Sequence, residues 1–283
     1  MPDEAPIQYR ALLQRHGFRF SKAMGQNFLI NPTVCPRMAA LCGTDRHSAV
    51  LEIGPGAGVL TRELARLAGK VLALELDRRL FPVLEESLAG LENVTLLQGD
   101  VLKLDLAALL RTHFDGMPVT VCANLPYYIT SPVIMRLLEE RLPIQSITVM
   151  VQREAADRIC ARVGSREGGA VTAAVAYYAQ AQKLFSVSRG SFLPAPNVDS
   201  TVIQLRLREA PPVEVADEAQ FFRLIRAAFG QRRKTLANAL SAGLGVEKTA
   251  VLAALAQAGL PADIRAEALT LVDFARVCGA LAL

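Results

Sequence analysis

Glu52-Ile53-Gly54-Pro55-Gly56-Ala57-Gly58 follows the short apolar run Ala49–Ile53 and precedes the amphipathic stretch Leu60–Ala68. It therefore reads as the turn between a buried strand and a helix. Glycines are needed there because the chain must turn tightly and let a ligand reach the backbone with no Cβ in the way. The spacing is G-x-G-x-G rather than the G-x-G-x-x-G of a dinucleotide fold. Glu52 also stands two residues ahead of the first glycine. A pyrophosphate seeks the free N–H groups of a helix start, and a neighbouring carboxylate repels it. The pattern favours a cationic ligand that carries no phosphate.

Outward from that turn, Lys70–Leu76, Val94–Gln98, Val119–Cys122 and Ile147–Val151 read as further buried strands, with Leu80–Leu88 and Ser131–Arg141 as helices between them. Strands separated by helices of this length make βαβ units, so the expected fold is α/β: a Rossmann-like parallel sheet with helices on both faces. Tyr177–Ser186 and Thr201–Arg208 are β-rich, flank the turn-laden Gly190–Ser200, and are expected to complete the sheet. At Glu209-Ala-Pro-Pro-Val the composition shifts, and the Pro-Pro pair reads as a linker. Beyond it, Glu218–Leu283 has helical periodicity, broken into short helices by Gly243, Gly245, Gly259 and Pro261. A catalytic domain over 1–208 and a small all-helical domain over 209–283 are expected.

A chain of 283 residues fits two domains, and 52% hydrophobic with 20% charged residues is an ordinary globular balance. Mean hydropathy is +0.28, but no run approaches the roughly 18 uninterrupted apolar residues of a bilayer span. The start MPDEAPIQYR holds two acids and two prolines and has no apolar core. It does not read as a secretory or transit signal, so a cytoplasmic location is expected. Cys35, Cys42, Cys122, Cys160 and Cys278 show no C-x-x-C spacing, and His16, His47 and His113 lie far apart. Reduced, packed thiols are expected, with no metal site. A net charge of +4 permits an anionic partner without demonstrating one.

Two further acids sharpen the glycine turn. Glu75 ends the second strand about 20 residues on, where a carboxylate accepts from ribose hydroxyls. Asp100, in Gln98-Gly99-Asp100-Val101, follows the third strand and is placed to accept from an adenine amino group. Asp77 competes for the ribose role, but is expected to face solvent or cap the next helix. Carboxylates after three successive strands would line the sheet edge where open α/β folds bind ligands. The set resembles the S-adenosylmethionine site of class I methyltransferases.

After the fourth strand comes Ala123-Asn124-Leu125-Pro126-Tyr127-Tyr128. Asn-Leu-Pro-Tyr resembles the [N/D/S]-P-P-[Y/F] signature of methyltransferases that act on exocyclic amines, with Leu125 in the first proline's place. Adenine N6 is a poor nucleophile because its lone pair is delocalised into the ring. The Asn124 side-chain oxygen and the Leu125 carbonyl are suited to hold both N6 hydrogens and draw the nitrogen toward tetrahedral geometry. Pro126 stiffens the turn, and Tyr127 offers a face on which the base stacks. No metal or strong base is needed, because the alkylated nitrogen becomes acidic and loses its proton to water. Thiolate attack by Cys122, as in cytosine C5 methylation, is rejected because Val121 rather than proline precedes it, inside the strand.

Other segments carry a family resemblance. Ser21-Lys22-Ala23-Met24-Gly25-Gln26-Asn27-Phe28-Leu29 resembles the K-x-x-G-Q-N-F-L motif of the ribosomal RNA adenine N6-dimethyltransferases. Met150–Arg158 resembles their M-x-Q-x-E-x-A-x-R segment, Phe192–Ser200 their F-x-P-x-P-x-V-x-S loop, and Phe229–Leu236 their F-x-x-R-R-K-x-L helix. The likeness runs from about Arg10 to Val277, and is greatest to the bacterial small-subunit (16S) enzymes. It implies donor contacts at Asn27, Leu29, Gly54, Gly56, Glu75, Asp100 and Asn124. It implies catalysis by the turn Asn124, Leu125, Pro126 and Tyr127, with Phe192 packed on the target adenine opposite Tyr127. The implied product is two adjacent dimethyladenosines near the 3′ end of small-subunit rRNA. The expected partner is that rRNA or a pre-30S particle, and a monomer is expected although the sequence does not reveal the oligomeric state. Lys-Ala-Met before Gly25 and Tyr128 after Tyr127 depart from the usual pattern, which touches fine specificity and not reaction class.

Arg232, Arg233 and Lys234 read as one charged turn of a helix whose other face is Phe222, Ile225, Phe229 and Leu236. Such a cluster suits phosphates, though a solvated helix face has the same pattern. Phe192 is open to two readings, a base partner or an exposed hydrophobic lid anchor. Arg19, Lys22, Arg153 and Arg158 are candidates for a basic rim. Three other readings compete with the small-subunit enzyme. The Phe192 loop and the basic helix speak against an Erm-type large-subunit enzyme. Glu52, Glu75, Asp100 and Asn124 speak against a non-catalytic ribosome-assembly factor. The glycine spacing speaks against an NAD-dependent dehydrogenase.

Overall fold

The computed structural model describes residues 9–19 and 25–282. In chain order the elements are α1 (Tyr9–Arg15), β1 (Phe28–Leu29), α2 (Val34–Leu41), β2 (Ala49–Ile53), α3 (Val59–Leu67), β3 (Lys70–Glu75), α4 (Phe81–Ser87), β4 (Val94–Gln98) and α5 (Leu106–Phe114). They continue through β5 (Val119–Asn124), α6 (Thr130–Glu139), β6 (Ile144–Gln152), α7 (Arg153–Ile159), α8 (Ala170–Tyr178), β7 (Ala179–Val187), β8 (Phe192–Leu193) and β9 (Ser200–Leu207). Four helices end the chain: α9 (Glu218–Gly230), α10 (Leu236–Leu244), α11 (Lys248–Gln257) and α12 (Leu271–Ala280).

Seven strands form one sheet in the order β4-β3-β2-β5-β6-β9-β7. β4, β3, β2, β5 and β6 run parallel, and β9 returns antiparallel against β6. Every residue of β2 is buried, as expected where helices cover both faces of a parallel sheet. Strand order reverses between β2 and β5, so the crevice beyond their carboxyl ends is the topological switch point. The sheet is the Rossmann-like α/β arrangement expected from the sequence. One apolar cluster joins α2 and α3 to the sheet through Met38, Leu64, Val50 and Met150; a second joins α1 to α4 through Leu12, Val83 and Leu84.

The chain forms two compact units. The first takes in the chain up to Ala156 together with Gln182–Leu207, and the second joins Asp157–Ala181 to Arg208–Leu283. The expected division at 208/209 leaves Asp157–Ala181 with the sheet, whereas the structure groups that segment with the helices. Aromatic packing is the reason. Tyr177 and Tyr178 on α8 meet Phe222 on α9 with ring centroids 5.2 and 5.3 Å apart. The Tyr177 hydroxyl also donates to Glu218 Oε1 at 2.9 Å. The same contacts correct the reading of Tyr177–Ser186 as wholly β: its first two residues end a helix. Among the described residues no helix is long and apolar enough to cross a membrane.

Candidate active site

The glycine turn leaves β2 with three alternate positions in the left-handed region: φ is +72° at Gly54, +61° at Gly56 and +86° at Gly58. Gly54 N donates to Leu74 O at 2.9 Å, which holds the turn against β3. A Cβ on Gly58 would fall 2.6 Å from Ser87 Oγ and 3.0 Å from Leu88 Cδ2, so only glycine lets α3 start this close to α4. A Cβ on Gly54 would meet nothing within 4 Å. The space over Gly54 belongs to a cavity, and any side chain would intrude on what binds there.

The acids stand where the strands deliver them. Glu75 is buried at the end of β3; its Oε2 accepts from Gly56 N at 3.3 Å and its Oε1 from Asp77 N at 2.8 Å. Burial raises its pKa above the ordinary carboxylate value. Asp100 accepts from Leu102 N at 2.9 Å through Oδ1, and its Oδ2 lies 3.6 Å from Lys103 Nζ. Asp77 is 6% exposed rather than facing solvent. Its carboxylate caps the turn Arg78–Leu80 through Arg79 N, pairs with the Arg79 guanidinium at 2.7 Å and accepts from Gln26 Nε2 at 2.8 Å. The hydrogen bonds from Arg79 lead the groups that hold it below the usual range.

Glu52 departs from its expected role as a repelling charge. It is 1% exposed, and burial pushes its carboxyl up to about 8. At neutral pH it is therefore largely uncharged, and discrimination against a pyrophosphate falls to Glu75 and Asp100. Its Oε2, in a residue that lines the cavity, is buried without a hydrogen-bond partner among the described residues. The folded-state value lies above the ordinary 4.5. Below both values the group is protonated in either state. As pH rises past 4.5 the unfolded chain releases its proton and the folded one does not, so stability declines until pH passes about 8. Glu52→Gln, neutral throughout, is expected to flatten the melting temperature between pH 5 and 8. A slope equal to that of the parent protein overturns this assignment.

At the end of β5, Asn124 Nδ2 donates to Asn27 O at 3.5 Å, and Asn27 Nδ2 donates to Gly25 O at 3.3 Å. With its nitrogen turned to Asn27, the Asn124 amide presents Oδ1 on its other side. The Leu125 side chain is 2% exposed and anchors the turn, and Pro126 leads into the turn Tyr127–Ile129. Tyr128 is 60% exposed. Its ring packs where a Cβ on Gly25 would lie, 3.2 Å away.

Phe192 is buried at 3% on β8, within the apolar cluster of α2 and α3, and it also lines the cavity. This removes the reading of an exposed loop aromatic. β8 pairs antiparallel with β1, setting Leu29 opposite Phe192 and Phe28 opposite Leu193. Two segments more than 160 residues apart thus close one wall together. The cavity gathers Asn27, Leu29, Gly54, Gly56, Glu75, Asp100, Asn124, Leu125, Pro126, Tyr127 and Phe192. Gln26, Phe28 and Tyr128 line it too. Sequence reasoning assigned them no role, although Gln26 and Phe28 lie inside a quoted motif.

Arg232, Arg233 and Lys234 belong to the other unit. They lie not within a helix but on the exposed turn between α9 and α10. The helix stops at Gly230, and α10 restarts after Thr235. Arg232 Nη2 donates to Arg166 O at 3.0 Å and Gly168 O at 3.1 Å, so it also holds a neighbouring loop. Of the proposed basic rim, Lys22 lies outside the described residues, and Arg158 belongs to the second unit. Replacing Arg233 and Lys234 together by alanine is expected to weaken RNA binding and to lower the salt slope by about 0.7–0.9 per charge. Arg232→Ala adds a lower melting temperature, since two carbonyls lose their donor. An unaltered slope returns the pair to a solvated surface.

The family model described as ribosomal RNA adenine dimethylase matches residues 17–278. The chain is 46% identical over 279 residues to the ribosomal RNA small subunit methyltransferase A of Shouchella clausii, covering 98% of this chain and 94% of that protein. It is 45% identical to the protein of the same name from Bacillus licheniformis, covering 95% and 94%. Among solved structures, a dimethyladenosine transferase from Plasmodium falciparum superposes with TM-score 0.75 at 27% identity, covering 88% and 95%. The 23S rRNA methyltransferase ErmE superposes with TM-score 0.68 at 27% identity, covering 91% and 100%.

Proposed function

The chain belongs to the ribosomal RNA adenine dimethylase family, and on that premise we propose that it methylates N6 of two adjacent adenosines near the 3′ end of small-subunit (16S) rRNA. The methyl donor is S-adenosylmethionine and the products are dimethyladenosines, made on a pre-30S particle in the cytoplasm during ribosome biogenesis. The curated relatives carry the small-subunit name, which favours this substrate over the large-subunit one of ErmE. The described residues that line the cavity come from a single chain, which supports action as a monomer. The exposed Arg233 and Lys234 give the helical unit its share of the RNA phosphates.

The cavity fits the donor. Gly54 leaves open space beside the backbone, the orphaned Glu52 Oε2 offers an unused polar atom, and Glu75 and Asp100 present acceptors for hydroxyl and amino groups. No triad of metal-ligating side chains occurs among the described residues. The donor supplies an electrophilic methyl on a positively charged sulfur. Glu75 would hold the ribose hydroxyls and Asp100 the adenine amino group. Asn27, Leu29, Gly54 and Gly56 complete the walls.

The single observation that carries the reaction is the orientation of Asn124. Its nitrogen is engaged by Asn27 O, so its oxygen and the Leu125 carbonyl form adjacent acceptors at the mouth of the donor cavity. They hold both N6 hydrogens of a base taken out of its stack and aim the nitrogen lone pair at the donor. Tyr127 and Phe192 pack on the two faces of the adenine. After transfer, the N6 proton leaves to water, and no basic side chain is needed. Mass spectrometry of rRNA fragments tests the reading, using protein incubated with methyl-labelled donor and either subunit's rRNA. Label in two adjacent adenosines of the small-subunit fragment is expected. Label in one large-subunit adenosine would assign the Erm-type activity, and no label would leave an assembly factor.

A further inference from the structure

The segment Phe192–Ser200 enters the proposed function through Phe192 alone, yet its last residue touches the acceptor turn. Tyr127 Oη and Ser200 Oγ lie 2.8 Å apart, a hydrogen bond between the two side chains. Ser200 has no exposed surface and sits in the β6–β9 ladder opposite Gln152. The residue before it is fixed as well. Arg153 N donates to Asp199 O at 3.0 Å, and Arg189 N donates to Asp199 Oδ1 at 2.9 Å. Ser200 is thus a rigid point, held by backbone on both sides. Tyr127 is only half-buried and stands at the start of a short turn after Pro126, without a regular element to fix its ring.

A tyrosine ring is swung by its first side-chain torsion, while the second only turns it about the axis through Cβ and the phenol oxygen. The phenol oxygen lies on that axis, so anchoring it fixes the swing of the first torsion and with it the place where the ring stands. We infer that Ser200 is a positioning residue for methyl transfer: its hydroxyl holds the Tyr127 ring in the place where it meets the flipped adenine. The link also joins the Phe192 segment to the acceptor turn, so the two aromatic faces of the base site share one support. The inference rests on the reading that Tyr127 meets the target adenine. Loss of the anchor acts on the reacting geometry, where small misplacements cost rate, and not on the donor walls.

Four proteins test it: the parent, Ser200→Ala, Tyr127→Phe and the double variant. Each is assayed by single-turnover methyl transfer at saturating donor and small-subunit RNA, with donor affinity from calorimetry and melting temperature alongside. Removing either end of one hydrogen bond is expected to slow transfer about tenfold. The double variant should be no slower than either single one, and donor affinity should be unchanged in all four. Ser200→Ala at the parent's rate, losses that multiply in the double variant, or weakened donor binding would each overturn the inference. Should Ser200→Ala fold poorly, Tyr127→Phe breaks the same bond from the half-buried side and leaves the sheet intact. Parent rate in that variant is equally fatal. A parent protein that labels no adenosine would defeat the reading beneath the inference, a different outcome from a variant that matches an active parent.

Discussion

Asn124→Ala is expected to slow methyl transfer about 10²–10³-fold while donor affinity stays close to that of the parent protein, the loss typical of one preorganised partner in the transition state. The reason lies in where the side chain stands. β5 runs beside the switch point and ends at Asn124, one strand from the glycine turn, so the amide is delivered to the donor cavity by the most buried part of the sheet. Asn27 fixes the amide nitrogen, and the oxygen is then aimed without any reorganisation at the moment of reaction. In the ground state the N6 hydrogens bond about as well to water. Only as the nitrogen pyramidalises does a fixed acceptor become worth more than solvent. Alanine removes that acceptor and the donor to the Asn27 carbonyl, while Leu29, Gly54, Gly56, Glu75 and Asp100 still line the donor cavity. Single-turnover rates at saturating donor and RNA, set beside calorimetric donor binding, decide the matter. Unchanged turnover removes Asn124 from the chemistry, and a loss shared equally with donor binding makes it a wall residue. Asn124→Asp sharpens the comparison. It keeps an acceptor but cannot donate to Asn27, so its rate should fall between those of the parent and the alanine variant.

Much of this arrangement was legible in the sequence because each acid follows a strand, and strand ends on one edge of a parallel sheet must converge. β2, β3, β4 and β9 fall within a residue or two of the expected runs, since apolar runs bounded by turn residues mark buried strands well. What escaped depends on partners distant in sequence. β1 and β8 hold two residues each and have no period to read; only their mutual pairing makes them strands. That pairing buries Phe192, a residue that two nearby prolines make look like a loop tip. Tyr177 and Tyr178 favour strands by propensity, but the ring cluster with Phe221 and Phe222 overrides it. The basic triplet looked helical because apolar residues recur on both sides of it. Gly230 and the restart of a helix after Thr235 were the readable signs of a break. The neutral state of Glu52 lay beyond sequence altogether, since it arises from burial on both faces of β2.

Glu75→Ala is expected to weaken donor binding by about 1–3 kcal/mol, the range for losing a hydrogen-bond partner of a buried polar group. Two competing effects must be separated. The Glu75 oxygens already accept from Gly56 N and Asp77 N, so alanine leaves both amides short of an acceptor and the melting temperature should fall as well. A carboxylate oxygen has room for more than one donor, so neither bond excludes a ribose hydroxyl. Glu75→Gln keeps the shape and one acceptor, and should recover part of the stability and less of the affinity. Acidity supplies the second handle. Burial raises the Glu75 pKa, and its protonated form is the poorer acceptor, so donor affinity in the parent should decline as pH falls through that raised value. Glu75→Gln should lack this decline. Asp77 offers no substitute, because Arg79 and Gln26 already occupy its carboxylate and hold it low. Equal donor affinity in Glu75→Ala and the parent would therefore leave the ribose without any acidic partner at this edge. The donor would then have to lie across the sheet in another orientation.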